Sequence, residues 1–362
     1  MGMSGGGGGD GRRVLLVTGG GGFLGGAIVR LLVSRGERVR SFSRGLYPEL
    51  EALGVEQVQG DLADGVAVRQ ACNGVAAVFH VAAKAGVWGP YEDYHRANVV
   101  GTENVIAACR ACEVGRLIYT SSPSVVFDGR DMAGVDESAP YPKRFATHYQ
   151  STKARAEQAV VAAARAGLPA VALRPHLIWG PGDNHLVPRI LARAKRLRQI
   201  GNGSNKVDTI YIDNAAYAHV LAEERLRENP ELSGRIYFIS QDAPIALWEM
   251  VNRIIMAGGG PPVEKRVSPF VARTVAGLLE AAYKMLGIGS EPPMTRFVVN
   301  EMATAHWFDI QAAKRDLGYV PMVDTEEGLR RLAAHLQPKG STGSVHGGQQ
   351  QGDPRPAAVG AK

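Results

Sequence analysis

Short apolar runs alternate with longer stretches of helical spacing through the first half of the chain. Six apolar runs predict buried parallel strands, at 13–19, 38–44, 55–62, 76–83, 115–122 and 169–175. Apolar positions recur at helical spacing over 23–36, 92–113 and 147–166. Repeated βαβ units predict an α/β fold with a doubly wound parallel sheet of the Rossmann type, whose ligands bind beyond the carboxyl ends of the strands.

After residue 181 the pattern changes to helices separated by Gly and Pro. We expect a dinucleotide-binding domain at 12–181 and a smaller substrate-binding lobe at 182–337. Within that lobe, a strand followed by a helix near 206–226 is expected to return to the first domain. The Gly-rich residues 1–11 predict a flexible lead-in, and the Gly-, Gln- and Pro-rich residues 338–362 predict a disordered tail.

Composition excludes several classes of function. The net charge of +6 comes from scattered residues without aromatic interleaving, so no nucleic-acid partner is expected. Three cysteines, including a C-x-x-C at 109–112 inside a helical pattern, fit reduced thiols in a cytoplasmic protein, and no metal site is expected. No run is apolar for long enough to span a membrane.

Two segments have more than one interpretation. The run "RILARAKRLR" at 189–198 carries five basic residues and predicts a solvated helix face or a patch for an anionic substrate group or lipid headgroups. The stretch 270–289 predicts an amphipathic helix. Core packing or cover for a lipid-like substrate is favoured for it over peripheral contact with a membrane surface.

The first predicted strand runs into a glycine loop, "TGGGGFLGG" at 18–26. Its glycines fit G-x-G-x-x-G and also G-x-x-G-x-x-G, and both registers let a pyrophosphate approach the backbone at the start of a helix. Because the loop lies between the first strand and the first helix, it predicts dinucleotide binding. The candidate contacts are Gly19, Gly22, Phe23, Leu24 and Gly25.

The end of the second strand bears on the choice of dinucleotide. An acidic residue there favours NAD, but this chain has Ser43 followed by Arg44. A guanidinium can bind a 2′-phosphate in bidentate fashion, so NADP(H) is favoured over NAD(H). The alternative is a surface arginine in a turn. At the end of the third strand, Asp61 and Leu62 are expected to flank the adenine.

A tyrosine and a lysine lie one helical turn apart in "YQSTK". Tyr149 and Lys153 share a helix face, and a nearby ammonium is expected to lower the pKa of the phenol. A tyrosine with a lowered pKa can act as a general acid–base toward a carbonyl oxygen. The fifth strand ends at Ser121 and Ser122, and Ser122 is the candidate that hydrogen-bonds the same oxygen.

These motifs resemble a known family when they are taken in order. "TGGGGFLG", "GDLAD", "FHVAA", "NVVGTENV", "YTSSPSVV", "YQSTK" and "LRPHLIWGPGD" are similar to the extended short-chain dehydrogenases/reductases, in particular the 3β-hydroxysteroid dehydrogenase branch. The resemblance covers about residues 13 to 337. It implies that Tyr149 is the proton donor, that Lys153 also holds the nicotinamide ribose, and that Ser122 orients the substrate oxygen.

The resemblance implies further contacts and an oligomeric state. His80, Val81 and Ala82 would line the cofactor after the fourth strand, and Pro175 with Leu177 would lie near the nicotinamide. The helices at 92–113 and 147–166 would form the interface of a homodimer.

Within this branch, "AKAGVWGPYEDYHRANVVGT" and "DLGYVPMVDTEEGLRRL" are similar to bacterial enzymes of long-chain olefin biosynthesis. That similarity implies NADPH-dependent reduction of the 3-oxo group of a long-chain 2-alkyl-3-oxo acid. Lys84 would pair with the substrate carboxylate or stay an exposed loop lysine, and Trp88 with the 270–289 helix would supply apolar cover. The alternatives are 3β-hydroxysteroid or sterol-4-carboxylate oxidation, sugar-nucleotide epimerisation, and a non-catalytic NADP sensor.

Overall fold

The computed structural model describes residues 13–337. The predicted lead-in at 1–11 and tail at 338–362 lie outside the described residues. The strands are β1 Val14–Thr18, β2 Arg38–Ser43, β3 Glu56–Gln59, β4 Ala77–His80, β5 Arg116–Thr120, β6 Met132–Val135, β7 Ala170–Pro175, β8 Ile178–Trp179, β9 Gln199–Ile200, β10 Lys206–Val207, β11 Ile210–Tyr211, β12 Ile236–Ile239, β13 Ile245–Ala246, β14 Arg266–Val267 and β15 His306–Phe308.

The helices are α1 Phe23–Ser34, α2 Pro48–Ala52, α3 Gly65–Cys72, α4 Tyr91–Tyr94, α5 Gly101–Ala111, α6 His148–Arg165, α7 Leu186–Arg193, α8 Ile212–Glu228, α9 Leu247–Ala257, α10 Pro269–Met285, α11 Arg296–Ala303 and α12 Thr325–Leu336. A π-helical stretch, His95–Val100, joins α4 to α5. The segment predicted as one helix at 92–113 is therefore helical but widened in its first half.

A parallel sheet of seven strands forms the centre of the fold, in the order β12-β7-β5-β4-β1-β2-β3. All six predicted strands occur in it, which confirms the doubly wound α/β class. The seventh strand, β12, was not predicted from the sequence. It is four residues long and follows the helix-rich part of the chain, so its short apolar run did not indicate that it belongs to the central sheet.

Apolar side chains on both faces of the sheet explain why its strands are nearly continuous hydrophobic runs. One face packs against α1 and α8, and the other packs against α3, α5 and α6. Since α8 begins at residue 212, the segment near 206–226 does contact the central sheet. Both layers hold the carboxyl ends of β1, β2, β4, β5 and β7 at one edge.

A smaller sheet, in the order β13-β10-β15-β6, lies beside this edge together with α10 and α11. One of its strands, β6, comes from the first half of the chain, between β5 and α6. Strand β6 pairs in parallel with β15, so part of the 12–181 segment forms a sheet with residues of the later lobe.

The amphipathic helix expected at 270–289 forms as α10, but its apolar side faces outward. It buries Ala272, Ala276 and Glu280, whereas Phe270, Leu278 and Met285 are exposed. Core packing therefore applies to the small residues Ala272 and Ala276, whereas these large apolar side chains are exposed, and cover for a lipid-like substrate stays a prediction. Within residues 13–337, no helix is long and apolar enough to cross a membrane.

Candidate active site

The carboxyl ends of the central strands open into a cavity of about 770 Å³. Most of the site residues predicted from the sequence line this cavity, namely Gly19, Gly22, Phe23, Leu24, Gly25, Ser43, Arg44, Asp61, Leu62, Val81, Ala82, Lys84, Ser122, Tyr149, Lys153, Pro175 and Leu177. Parallel strands bring them together because their carboxyl ends meet at one edge of a sheet. Of the predicted set, His80 and Trp88 do not line it.

The glycine loop has the shape that a pyrophosphate requires. Gly19 has a φ of +72°, and its carbonyl accepts a hydrogen bond of 2.9 Å from the Gly22 N–H. A Cβ at Gly25 would lie 2.1 Å from the Gly19 oxygen, so only glycine fits there. At the start of α1, Gly22 offers no side-chain cap and the first turn contains no acidic residue. The first amides of α1 and its positive end therefore fit a dinucleotide's phosphates.

The end of β2 carries no carboxylate toward the cavity. Ser43 and Arg44 line it there, and Arg44 is exposed. The nearby carboxylate of Asp61 pairs with Arg96 at 2.9 Å, which compensates its charge. The sequence did not single out Tyr47, whose ring also lines the cavity and packs so closely on Gly21 that a Cβ there would lie 2.2 Å from the ring.

His80 is buried behind the cavity wall rather than on it. Its ring nitrogens lie 2.9 Å from the Thr18 hydroxyl and 3.0 Å from the Thr102 hydroxyl. The Thr18 hydroxyl also accepts hydrogen bonds from the backbone N–H groups of Val81 and Ala82. Burial lowers the pKa of His80 to about 3, so the ring is neutral. His80 thus positions the loop that lines the cavity, and the residue does not face a ligand.

Helix α6 begins at a capping box, in which Thr147 and Gln150 satisfy each other's backbone groups. This cap fixes the first turn, which carries Tyr149, and the next turn carries Lys153. The Lys153 ammonium donates a 2.6 Å hydrogen bond to the Thr120 carbonyl at the end of β5 and lies 4.2 Å from the centre of the Tyr119 ring. Burial lowers the pKa of Lys153 to about 7, and the Glu157 carboxylate opposes that shift.

The pKa of Tyr149 moves in the direction opposite to the one expected. Burial raises it, the neighbouring Ser122 hydroxyl lowers it, and the negative charge of Glu301 raises it further. Lys153 is not among the groups that shift the pKa of Tyr149, and its ammonium donates its hydrogen bond to the Thr120 carbonyl. Glu301 itself lies on α11 with its pKa raised by burial to about 7, and sequence reasoning did not find this residue.

The two adjacent serines at the end of β5 differ in their surroundings. The Ser122 hydroxyl lies close enough to Tyr149 to lower the pKa of that phenol, and it lies 2.9 Å from the Ser124 hydroxyl. The Ser121 hydroxyl is buried without a partner among the described residues. Ser122 is therefore the serine whose hydroxyl lies next to Tyr149, and its role toward the substrate oxygen stays a prediction.

Two further residues, Lys84 and Asn98, connect the loop after β4 to α6. Lys84 lines the cavity and forms an ion pair of 3.2 Å with Asp93. Its backbone N–H and carbonyl both bond the Asn98 side chain, which also donates to the Thr152 hydroxyl on α6. Asn98 lies in the π-helical stretch and is the first residue of the "NVVGTENV" motif, although sequence reasoning gave it no role.

A second cavity, of about 690 Å³, lies between the 87–90 loop and helices α10 and α11. Trp88 lines this cavity, with Val87 and Phe297 as apolar neighbours and Arg273 and Lys284 as basic ones. Thr147 and His148, which precede Tyr149 directly, also line it. The cavity therefore begins next to the start of α6, where Tyr149 lies.

Comparison with known proteins places this arrangement in a family. The model of the 3-beta hydroxysteroid dehydrogenase/isomerase family matches residues 16–269. A 2-alkyl-3-oxoalkanoate reductase of Stenotrophomonas maltophilia is 53% identical over 86% of this chain and 96% of its own length. One of Shewanella oneidensis is 51% identical over 87% of this chain and 84% of its own.

More distant relatives and a solved structure extend the comparison. A human sterol-4-alpha-carboxylate 3-dehydrogenase is 33% identical over 85% of this chain and 84% of its own. A UDP-glucuronic acid 4-epimerase from Bacillus cereus, solved with NAD, superposes with a TM-score of 0.69 over 90% of this chain and 98% of its own. At 20% identity, that likeness shows the fold alone. This chain belongs to the 3-beta hydroxysteroid dehydrogenase/isomerase family and is an oxidoreductase of the extended short-chain dehydrogenase/reductase type.

Proposed function

We propose that this protein reduces the 3-oxo group of a long-chain 2-alkyl-3-oxo acid to the 3-hydroxy acid, with NADPH as the reductant. The observation that carries the proposal is the convergence of Tyr149, Ser122 and Lys153 on the cavity that the glycine loop also lines. The two relatives above 50% identity, which bear the name of this activity, support the substrate class.

Each of these cavity residues has a separate role in the proposed carbonyl reduction. When bound, a reduced nicotinamide supplies the hydride that the carbonyl carbon accepts. The Tyr149 hydroxyl donates a proton to the oxygen, and its raised pKa keeps it protonated before the reaction. The Ser122 hydroxyl donates a hydrogen bond to the same oxygen as negative charge develops there. Lys153 holds the nicotinamide ribose, and the Thr120 carbonyl fixes its position.

Arg44 supports NADPH over NADH. Its exposed guanidinium lines the cavity beside Ser43, where a 2′-phosphate would lie, and the nearest carboxylate at β3 is paired with Arg96. We expect Arg44→Ala to raise the KM for NADPH about tenfold or more and to leave the KM for NADH unchanged. Arg110→Ala, an exposed arginine on α5, is the control. Equal KM changes for both dinucleotides would contradict this preference.

The second cavity is proposed to hold the alkyl chains. Its volume of about 690 Å³ and its Trp88, Val87 and Phe297 walls suit a long apolar group that continues from the reacting carbon beside Tyr149. Lys84 is the proposed partner of the carboxylate, in competition with Asp93. Binding of the alkyl chains and binding of the carboxylate involve different residues, so variants of Val87 and of Lys84 test them separately.

A sterol-4-carboxylate is the alternative substrate. It is supported by relatives of 33–38% identity that are named for steroid or sterol dehydrogenation. It carries a carboxylate in the same position relative to the reacting carbon as a 2-alkyl-3-oxo acid does, so the same groups would bind both.

The two substrate classes separate in one assay. Purified protein with NADP is offered a long-chain 2-alkyl-3-hydroxy acid or a 3β-hydroxysteroid 4-carboxylate, and nicotinamide absorbance is followed. Faster turnover of the branched acid is the expected result. Turnover of the steroid alone would assign the protein to the alternative, and tight NADP binding without turnover of either would favour a sensor.

A further inference from the structure

The exposed side of α10 is apolar over most of the helix. Phe270 is 79% exposed, Leu278 68% and Met285 82%, and Val271, Val275 and Leu286 are exposed as well. At about 100° per residue, these six side chains fall within an arc of roughly 160°. The other exposed residues in this arc are the neutral Thr274 and Ala281. Isolated apolar residues on a surface are ordinary, but a continuous face of this size marks an interaction surface.

The charged residues of α10 border this face on one side. Arg273 and Lys284 are both exposed and fall on adjoining positions of the helix. The single acidic residue of α10, Glu280, is buried and bonded to Arg296 at 2.7 Å. An apolar face with a cationic border is the pattern of a helix that lies in the plane of a membrane interface.

A second group of basic residues lies at the start of α10. Strand β14 precedes the helix directly and pairs with β9, so Lys265 and Arg266 lie beside Arg198. These three residues are exposed, as are Lys195 and Arg196 before them, and Glu264 is the acidic residue among them. The last part of the basic run at 189–198, which had two interpretations from sequence, therefore lies next to the start of α10.

We propose that α10 docks the protein onto an anionic lipid surface. The exposed face of α10 enters the interface, and the basic residues of 195–198 and 265–266 contact the anionic headgroups. Charge complementarity selects this occupant over a second copy of the chain, which would bring the same cations together. Docking would place the second cavity, whose wall includes the inner side of α10, within reach of lipid-like substrates. That last consequence rests on the proposed function, whereas the docking itself does not.

The test measures partition of the full chain onto vesicles. Phosphatidylcholine vesicles with and without phosphatidylglycerol are sedimented with the wild type, and we expect binding to the anionic vesicles that salt weakens. Leu278→Glu should lower the partition coefficient about tenfold or more. The double change Lys265→Gln with Arg266→Gln should lower it about tenfold or more as well. Val320→Glu, at a residue 66% exposed in a loop far along the chain, is the matched control and should bind like the wild type.

Thermal denaturation of each variant checks that the fold is kept, which is expected because all four positions are exposed. Absence of wild-type binding to anionic vesicles, or equal binding by Leu278→Glu, would overturn the proposal. Sedimentation velocity supplies the other decisive outcome. Self-association of the wild type that Leu278→Glu abolishes, without any vesicle binding, would assign the face to a second copy of the chain.

Discussion

At the scale of single residues, Tyr149 carries the sharpest prediction. Tyr149→Phe removes the proton donor and leaves the ring in place, so kcat for the proposed reduction should fall by about 10²–10⁴-fold. Binding of the dinucleotide, measured by fluorescence titration, should change little because the proposed role of Tyr149 is proton donation to the substrate oxygen. Tyr217→Phe on α8 is the matched control. Retention of more than a tenth of the activity in Tyr149→Phe would remove this residue from the mechanism.

The burial of Lys153 affects the stability of the protein as well as its proposed function. The folded-state pKa is about 7 against an ordinary value of 10.5, so the unfolded chain binds a proton between these values that the folded chain does not. Burial of the charged ammonium therefore lowers the free energy of unfolding. This destabilisation has its full size below pH 7 and disappears above pH 10.5. We therefore expect Lys153→Met, measured without dinucleotide, to raise the Tm at pH 7 and to lose that gain as the pH approaches 10.

Activity and a surface variant complete the Lys153 experiment. Turnover should be lost in Lys153→Met at every pH, since the ammonium is needed to hold the ribose. Lys143→Met, at an exposed lysine, should change the Tm by little at either pH. A lower Tm for Lys153→Met at pH 7 would mean that its hydrogen bond to Thr120 outweighs the cost of burial.

At the scale of elements, the turn from β1 into α1 depends on one glycine. Gly25→Ala places a Cβ 2.1 Å from the Gly19 carbonyl oxygen, which is backbone and cannot move aside. We expect the loop to open and the affinity for the dinucleotide to fall by at least about tenfold. Gly277→Ala on α10, whose new Cβ would meet the Arg296 side chain at 3.6 Å, should bind as the wild type does. Circular dichroism distinguishes loop damage from unfolding.

The helical elements show where local pattern and tertiary contact disagree. The spacing of α10 predicted an amphipathic helix correctly, but its larger apolar side chains face outward, and its buried residues are Ala272, Ala276 and Glu280. Small residues allow α10 to approach α11 closely. Periodicity identifies two faces of a helix, and it does not tell which of them the rest of the chain covers.

At the scale of the whole molecule, the second cavity should set the preference for chain length. Val87→Phe adds bulk to its wall, and overpacking costs about 1–3 kcal/mol, so the KM for a long-chain branched acid should rise about tenfold. A short-chain analogue, which does not reach Val87, should keep its kcat/KM. Val66→Phe, at a position 59% exposed on α3, is the control. Equal effects on both substrates would place the alkyl chains elsewhere.

The expected homodimer and cytoplasmic location stay predictions.

The sequence by itself determined the parallel sheet, the glycine loop before α1, and the spacing of Tyr149 and Lys153. These features are local, because strand runs, a strand-to-helix turn and a one-turn separation are all written within a few neighbouring residues. The order of the motifs along the chain then identified the family, because each motif keeps its place relative to the strands.

Only the tertiary structure decided how the chemical groups face one another. It placed Ser122 rather than Ser121 against Tyr149, put His80 behind the cavity wall, and brought Glu301 from a distant helix toward the phenol. It also turned the apolar face of α10 outward and reversed the expected shift in the pKa of Tyr149. These outcomes depend on burial and on distances through space between residues far apart in the chain, and neither quantity is carried by spacing along the sequence.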